Sequence, residues 1–287
     1  MTTIDVSSPA ERNARPARKV SQYNWIGGSF GWVWLVIIML PIYWMVITSL
    51  KTSANYYDTN ALLPPKNPTL DNYRLVIQNH IGRYFLNSVV VTLGAVIPAV
   101  AISLMAAYAI IRGVGNRWLR SVNWLFLMGL AIPLQAVIIP IYLIIIRLGL
   151  YDTLLAIVLP SISFAIPLSV LVLSNFIRDV PRELFESMRV DGATEWGTLW
   201  RLVFPLTRPA LITVAIYNGI GIWNGLLLPL VLTQSRGQRT LPLALADFQG
   251  QASVILAAIT LTLLPIVILY ALGRRQLQSG LIAGVSK

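Results

Sequence analysis

The chain has 287 residues, of which 56% are hydrophobic and only 11% charged, and its mean hydropathy of +0.70 lies far above that of a soluble domain. With no Cys and a single His, disulfides and thiolate metal sites are excluded, and the lone His80 reads as a solvated loop residue. The net charge of +11 comes from basic residues scattered between apolar runs rather than gathered on one polar face, so it argues for membrane topology and against nucleic-acid binding.

In chain order, a polar tail over residues 1–25 carries Arg12, Arg15, Arg18 and Lys19. Six apolar stretches follow, at roughly 26–48, 85–111, 121–146, 154–177, 209–232 and 252–273, and none contains Asp, Glu, Lys or Arg. Each has about twenty residues or more, enough at 1.5 Å per residue to cross a hydrocarbon core about 30 Å thick. A charge at the bilayer centre costs at least about 2.5 kcal/mol, so this segregation predicts spanning helices. The first run is too long for a signal-peptide core and lacks a small-x-small cleavage site, which makes it a retained anchor. A second tail follows at 274–287.

Placing the N-terminus inside puts fifteen Lys and Arg on the inner side: the four of the tail, Arg112, Arg117, Arg120, Arg178, Arg182, Arg189, Arg201, Arg208, Arg274, Arg275 and Lys287. Seven remain outside, namely Lys51, Lys66, Arg74, Arg83, Arg147, Arg236 and Arg239. This bias predicts that both termini are cytoplasmic. Two outer loops are long. The prolines of "LLPPKNPTLDNY" in the first, about 49–84, predict an extended crossing, and the loop at 233–251 contains "TQSRGQRTLPLALADFQG". Each is either a surface for an external partner or a plain solvated connection.

The inner loop at 178–208 holds five acidic and five basic residues. Pro181, with Asp179 before it and Glu183 after it, marks a helix start. Leu184, Phe185 and Met188 fall at helical spacing, and Asp191-Gly192 signals a turn. Thr194 then caps a second helix with Trp196, Leu199, Trp200 and Val203 on one face, stopped by Pro205. The expected product is a helix pair along the inner membrane surface. An interfacial pair that needs no partner is the alternative. A DNA-reading helix-turn-helix is discounted, because a short tethered loop of balanced charge binds phosphates poorly.

The segment "ELFESMRVDGATEWGTLWRLVFPLTRPAL" resembles the cytoplasmic signature loop of ATP-binding-cassette importer permeases. Glu186, Gly192, Leu202, Phe204 and Pro205 occupy the signature positions, and Asp191-Gly192-Ala193 is similar to the Asp-Gly-Ala of sugar importers. Ser187 and Met188 stand where the family has two alanines, a departure that bears on how closely the helix packs on its partner. The segments "FLNSVVVTLGA", "SLMAAYAIIRG", "IPIYLIIIRLGLYDT", "WNGLLLPLVL", "TLPLAL" and "SGLIAGVSK" are in turn similar to carbohydrate-importer permeases of the maltose type, in order over about residues 20–287.

The resemblance implies an all-α, six-span bundle over 26–273, of the type I importer permease kind, with a coupling loop at 178–208. It implies an ATPase-docking set in which Glu186 is the ionic anchor and Gly192 the turn, with Leu184, Met188 and Trp196 as apolar contacts beside Ala193. Asp191 either touches the ATPase or braces the loop internally. It further implies a second permease subunit, a cytoplasmic ATPase dimer carrying ATP and Mg, an external solute-binding protein, and residence in the inner membrane.

The chain itself has no Gly-x-x-x-x-Gly-Lys-Ser/Thr loop, so ATP hydrolysis belongs elsewhere and this chain is not the enzyme. Charge-free spans argue against a proton relay. Gln135, Tyr217, Asn218, Trp223 and Asn224 are the candidates to line a sugar pathway, since amides both donate and accept and aromatic faces cover sugar rings. Interhelical hydrogen bonding and space filling are the competing roles for each. An ATP-independent carrier and a non-transporting scaffold are the other function classes considered.

Overall fold

The computed structural model describes residues 25–52, 56, 60–113, 115–248 and 251–285. Among these there is no strand, and the chain divides into two compact units, residues 1–44 and 45–287. The described part of the first unit is the larger portion of helix α1 (Trp25–Ser49), which continues through its internal Pro41. Its side chains over residues 28–43 are exposed, Trp32 at 70% and Trp34 at 65%, as suits a helix whose surroundings are apolar.

In the second unit α2 (Asp71–Gln78) precedes α3 (Ile81–Arg112), which packs most extensively on α6 (Leu154–Arg178). The reason lies in a four-residue repeat of small side chains on α3: Ala95, Ala99, Ser103 and Ala107 are all fully buried. Such a stripe lets two helices approach closely where no water drives them together. A Cβ on Gly94 of the same helix would stand 3.6 Å from Val158 Cγ2 on α6. Polar side chains within these helices turn back on their own backbone, as when Ser161 and Ser169 each donate to the carbonyl four residues earlier at 2.7 Å.

Three helical segments, Gly28–Ser49, Ile81–Arg112 and Leu154–Arg178, are long and apolar enough to cross a membrane unbroken, and up to five spans result if each of two bent pairs counts as one. The expected rod at 121–146 is such a pair: α4 (Arg117–Gly129) and α5 (Leu134–Arg147) meet at 107°. Pro133 makes the break, holding an extended backbone that offers no N–H to continue α4.

The expected fifth span likewise divides. α8 (Glu195–Leu206), which includes a π-helical turn at Leu199–Val203, meets α9 (Arg208–Trp223) at 75°, and α10 (Leu227–Leu232) follows after a gap. Thr207, not Pro205, closes α8. The last helix, α11 (Ala252–Val285), runs on past residue 273, where a tail was expected. The loop at 49–84, expected to be an extended outer crossing, has no regular element at Pro64 and Pro65 but contains α2.

The loops on the side expected to be outer are tied to the bundle. Arg83 Nε and Asn87 Nδ2 both donate to the carbonyl of Gly237, at 3.0 and 2.9 Å, and Asn87 also reaches the Arg239 carbonyl at 2.8 Å. Asp152 holds a left-handed φ of 61° and accepts from the backbone N–H groups of Gln234 and Ser235 at 2.8 and 2.9 Å. Those two bonds, the Gln234 one first, hold its carboxyl below the usual aspartate range. Its stabilising contribution is therefore full above about pH 3.9 and is lost as pH falls through the lowered value.

Asp152→Ala removes these bonds and leaves at a left-handed φ a residue without the short polar side chain that eases that conformation. It is expected to cost about 1–2 kcal/mol, measured as a lowered thermal unfolding midpoint of the purified protein. Asp152→Asn keeps an acceptor and tolerates the φ, so it should cost less.

Candidate coupling loop and substrate pathway

The inner loop folds as two helices, α7 (Arg182–Val190) and α8. Along α7 only Phe185 is buried, at 7% exposure, among Leu104 and Ala107 of α3, Leu173 and Ile177 of α6, and Leu199 and Val203 of α8. Leu184 and Glu186 flank it in sequence and are exposed, while Met188 is half-buried. One aromatic anchor thus fixes the helix and leaves Leu184 and Glu186 of its predicted docking set uncovered.

The turn after α7 closes by backbone geometry. Gly192 takes φ +75°, its N–H donates to the Arg189 carbonyl at 3.0 Å, and the Ala193 N–H donates to the Met188 carbonyl at 2.9 Å. This is the Schellman arrangement, which satisfies the last carbonyls of a helix. A Cβ at Gly192 would meet nothing within 4 Å, so the backbone angle and not space demands glycine there. Among the described residues the exposed carboxylate of Asp191 makes no hydrogen bond; the residue is the C-cap through its backbone alone. Thr194 caps α8 as expected, accepting from the Gly197 N–H at 3.1 Å.

Glu195, absent from the predicted docking set, is the most connected charge in the loop. It accepts from the Tyr108 hydroxyl, and its Oε1 lies 3.3 Å from Arg112 Nη2. Arg112 also sits 5.0 Å above the Phe185 ring. The C-terminal end of α3 is therefore clamped to both loop helices at once. The Tyr108 bond foremost, and Arg112 after it, hold the Glu195 carboxyl below the usual glutamate range.

The predicted apolar face of α8 divides between two surroundings. Leu199 and Val203 are buried, whereas Trp196 is 60% and Trp200 41% exposed, in edge contact with ring centroids 5.6 Å apart. Trp200 continues to Phe204 at 5.2 Å, forming an aromatic row on the outside of the loop.

The five pathway candidates do not form one lining. Tyr217 (63% exposed) and the buried Asn218 border a cavity of about 290 Å³ together with Ser161, Phe164, Gly221 and Gly225. Asn218 Nδ2 is 2.8 Å from Ser169 Oγ, an interhelical bond between α9 and α6. Gln135 and Asn224 are exposed and lie outside that cavity's wall. Trp223 is a packing residue instead, 6% exposed, with its ring edge-on to Phe85 at 5.7 Å among Val76, Tyr84 and Leu241.

Gly192→Ala should destabilise the turn by about 1–2 kcal/mol through its φ alone, and Gly192→Asn by less, read from thermal unfolding. Glu195→Gln should cost about 1 kcal/mol at neutral pH, a value kept low because the side chain is 64% exposed. The depressed carboxyl contributes fully above about pH 4.3 and loses that contribution as pH falls through its folded value. The gap between parent and variant midpoints should therefore close in acid.

Residues 99–282 match the family model described as "Binding-protein-dependent transport system inner membrane component". The chain is 37% identical over 261 residues to the putative ABC transporter permease protein ORF2 of Caldicellulosiruptor sp. (strain Rt8B.4), covering 89% of this chain and 94% of the relative. It is 33% identical over 259 residues to the trehalose transport system permease protein SugB of Mycobacterium tuberculosis, with 87% and 92% covered. The fold is also that of a solved bacterial ABC transporter involved in import of the acidic polysaccharide alginate, at TM-score 0.77 and 21% identity over 87% of this chain and 94% of that one. A match spanning well over half of the sequence, joined to near full-length relatives, carries the assignment: the chain belongs to the family of inner-membrane components of binding-protein-dependent transport systems.

Proposed function

We propose that this chain is one of two permease subunits of a sugar importer. It passes a mono- or oligosaccharide inward through the cytoplasmic membrane, with both of its termini on the cytoplasmic side. The single observation that carries the reading is the exposed Glu186 on a helix held to the bundle by Phe185, followed by a glycine turn at Gly192. A carboxylate so presented is suited to a cationic cleft on a separate ATPase dimer, where charge-assisted hydrogen bonds contribute about 1.5–3 kcal/mol each. ATP and Mg belong to that dimer. Leu184, Met188, Ala193 and Trp196 supply the apolar rim, and Asp191, whose carboxylate is unengaged within the described residues, is a second ionic contact.

Closure of the ATPase dimer would move α7 and α8, rock the spans and open the pathway to a loaded solute-binding protein. Within the pathway Tyr217 and Asn218 are the residues proposed to meet sugar, with Gln135 and Asn224 as exposed amides farther from the cavity. The trehalose-system relative supports sugar as the substrate class. Glu186→Lys should abolish both sugar uptake and binding-protein-stimulated ATP hydrolysis in the reconstituted assembly while leaving membrane insertion intact. Normal transport by that variant, or uptake by the purified chain in vesicles that hold no ATPase, would overturn the reading.

A further inference from the structure

Beside the docking helix lies a second feature, a cleft of about 620 Å³ between the end of α3, the start of α4, the end of α6 and the flank of α7. Five arginines line it, Arg112, Arg120, Arg178, Arg182 and Arg189, against one carboxylate, Glu186. Of the five, Arg112 is paired with Glu195; among the described residues the other four have no carboxylate within 4.0 Å. Arginine stays charged at any accessible pH, so the four side chains repel one another unless an anion joins them. They come from three separate helices, and all four are exposed, which leaves their guanidinium forks free to turn toward a common guest.

The chemistry of that guest follows from geometry and charge. Planar guanidinium groups that line one cleft can match tetrahedral phosphate oxygens through paired N–H donors. The volume falls in the range of small-molecule sites, and its floor is apolar, made by Ile177 and Phe185. Its depth is marked by α4, whose first turn carries the 70% exposed Trp118 and whose later turns carry the 59% exposed Trp124. Exposed tryptophans and arginines on one short helix suit the headgroup layer of a bilayer, where basic pockets between helices gather anionic lipid.

We propose that this cleft is a binding site for a phosphate-bearing anion at the inner membrane surface, bracing α7 against α3, α4 and α6. The shared chemistry is a phosphate ester, supplied by an anionic phospholipid headgroup or by a soluble phosphorylated metabolite. The proposal rests on the inner-side placement of the loop given above, but its test requires no ATPase. Occupancy would oppose tilting of the docking helix and so set how readily force passes into the spans.

The purified chain in neutral detergent is titrated separately with short-chain phosphatidylglycerol, short-chain phosphatidylcholine, glucose 6-phosphate and inorganic phosphate, and the affinity is measured. Saturable binding of phosphatidylglycerol without phosphatidylcholine identifies the lipid source; binding of the soluble phosphates identifies the other, and either supports the site. Arg120→Gln and Arg182→Gln should each weaken that binding about fivefold, the equivalent of about 1 kcal/mol. Arg182→Lys should restore much of it, and Arg147→Gln, on the opposite side, should leave it unchanged. The substituted side chains are exposed, and an unaltered helical circular dichroism spectrum confirms the fold of each variant. Absence of binding by any phosphate, or equal affinity in the parent and in Arg120→Gln and Arg182→Gln, would overturn the site. So would an equal loss in Arg147→Gln. Because Glu186 also lines the cleft, the two readings are separated by the assay and not by that variant: anion binding is read on the purified chain with no ATPase present, and ATPase coupling in the reconstituted assembly.

Discussion

The insertion of Phe185 into the apolar end of the bundle, with Arg112 stacked on its ring and Glu195 gripping Arg112, is the contact on which the rest depends. A charged loop outside a lipid-embedded bundle has no reason of its own to stay in register with it. Burying one phenylalanine contributes about 2–3 kcal/mol, and it does so at one point, between α3, α6 and α8. The polar clamp then fixes rotation about that point. Together they convert a surface helix into a rigid extension of three other helices, which is the mechanical requirement of any device that receives motion at one end and delivers it at the other.

Membrane residence explains why charge is arranged as it is. Spans without ionic groups force all of the chain's charge to their ends, so the loops carry more than solubility requires. Around the 178–208 loop this produces two outcomes within a few residues of each other. Glu195 is consumed by an intramolecular pair, while the neighbouring arginines of α4, α6 and α7 outnumber the carboxylates that face them. Inside the spans, polar side chains bond to their own backbone or, as with Asn218 and Ser169, to one another. That leaves the exposed Tyr217 hydroxyl as the polar group at the cavity with the greatest freedom to engage a guest.

How far the sequence foretold this depends on whether a feature is local. The Thr194 cap and the glycine turn at Gly192 are decided within a few residues, and the structure has both, while of the six apolar runs three form unbroken membrane-length helices. The break at 130–133 was legible in Pro133, yet twenty-six uncharged residues read equally well as one rod. Non-local facts were not legible. Arg112 and Glu195 are 83 positions apart, and nothing in either neighbourhood announces the pairing. Periodicity gathered Trp196, Leu199, Trp200 and Val203 on one stripe but could not say that the boundary between core and surroundings would run along its middle. The two roles left open for Trp223 could not be told apart for a related reason: an aromatic in a span looks the same from its sequence whether it faces a pathway or packs on Phe85, as the structure has it.

The 75° junction between α8 and α9 gives the arrangement a direction. Leu199 and Val203 of α8 share one apolar cluster with Phe185 of α7 and with Ala210, Leu211 and Val214 at the base of α9. Interiors of this kind are close-packed and transmit displacement rather than absorb it. Displacement of α7 would therefore be felt at the base of α9, across the bend and through this shared cluster. Two turns above that base, α9 carries Tyr217 and Asn218 at the cavity wall, with Asn218 bonded across to α6. That interhelical bond ties α9 to α6 beside the cavity and so restrains movement of one helix against the other there.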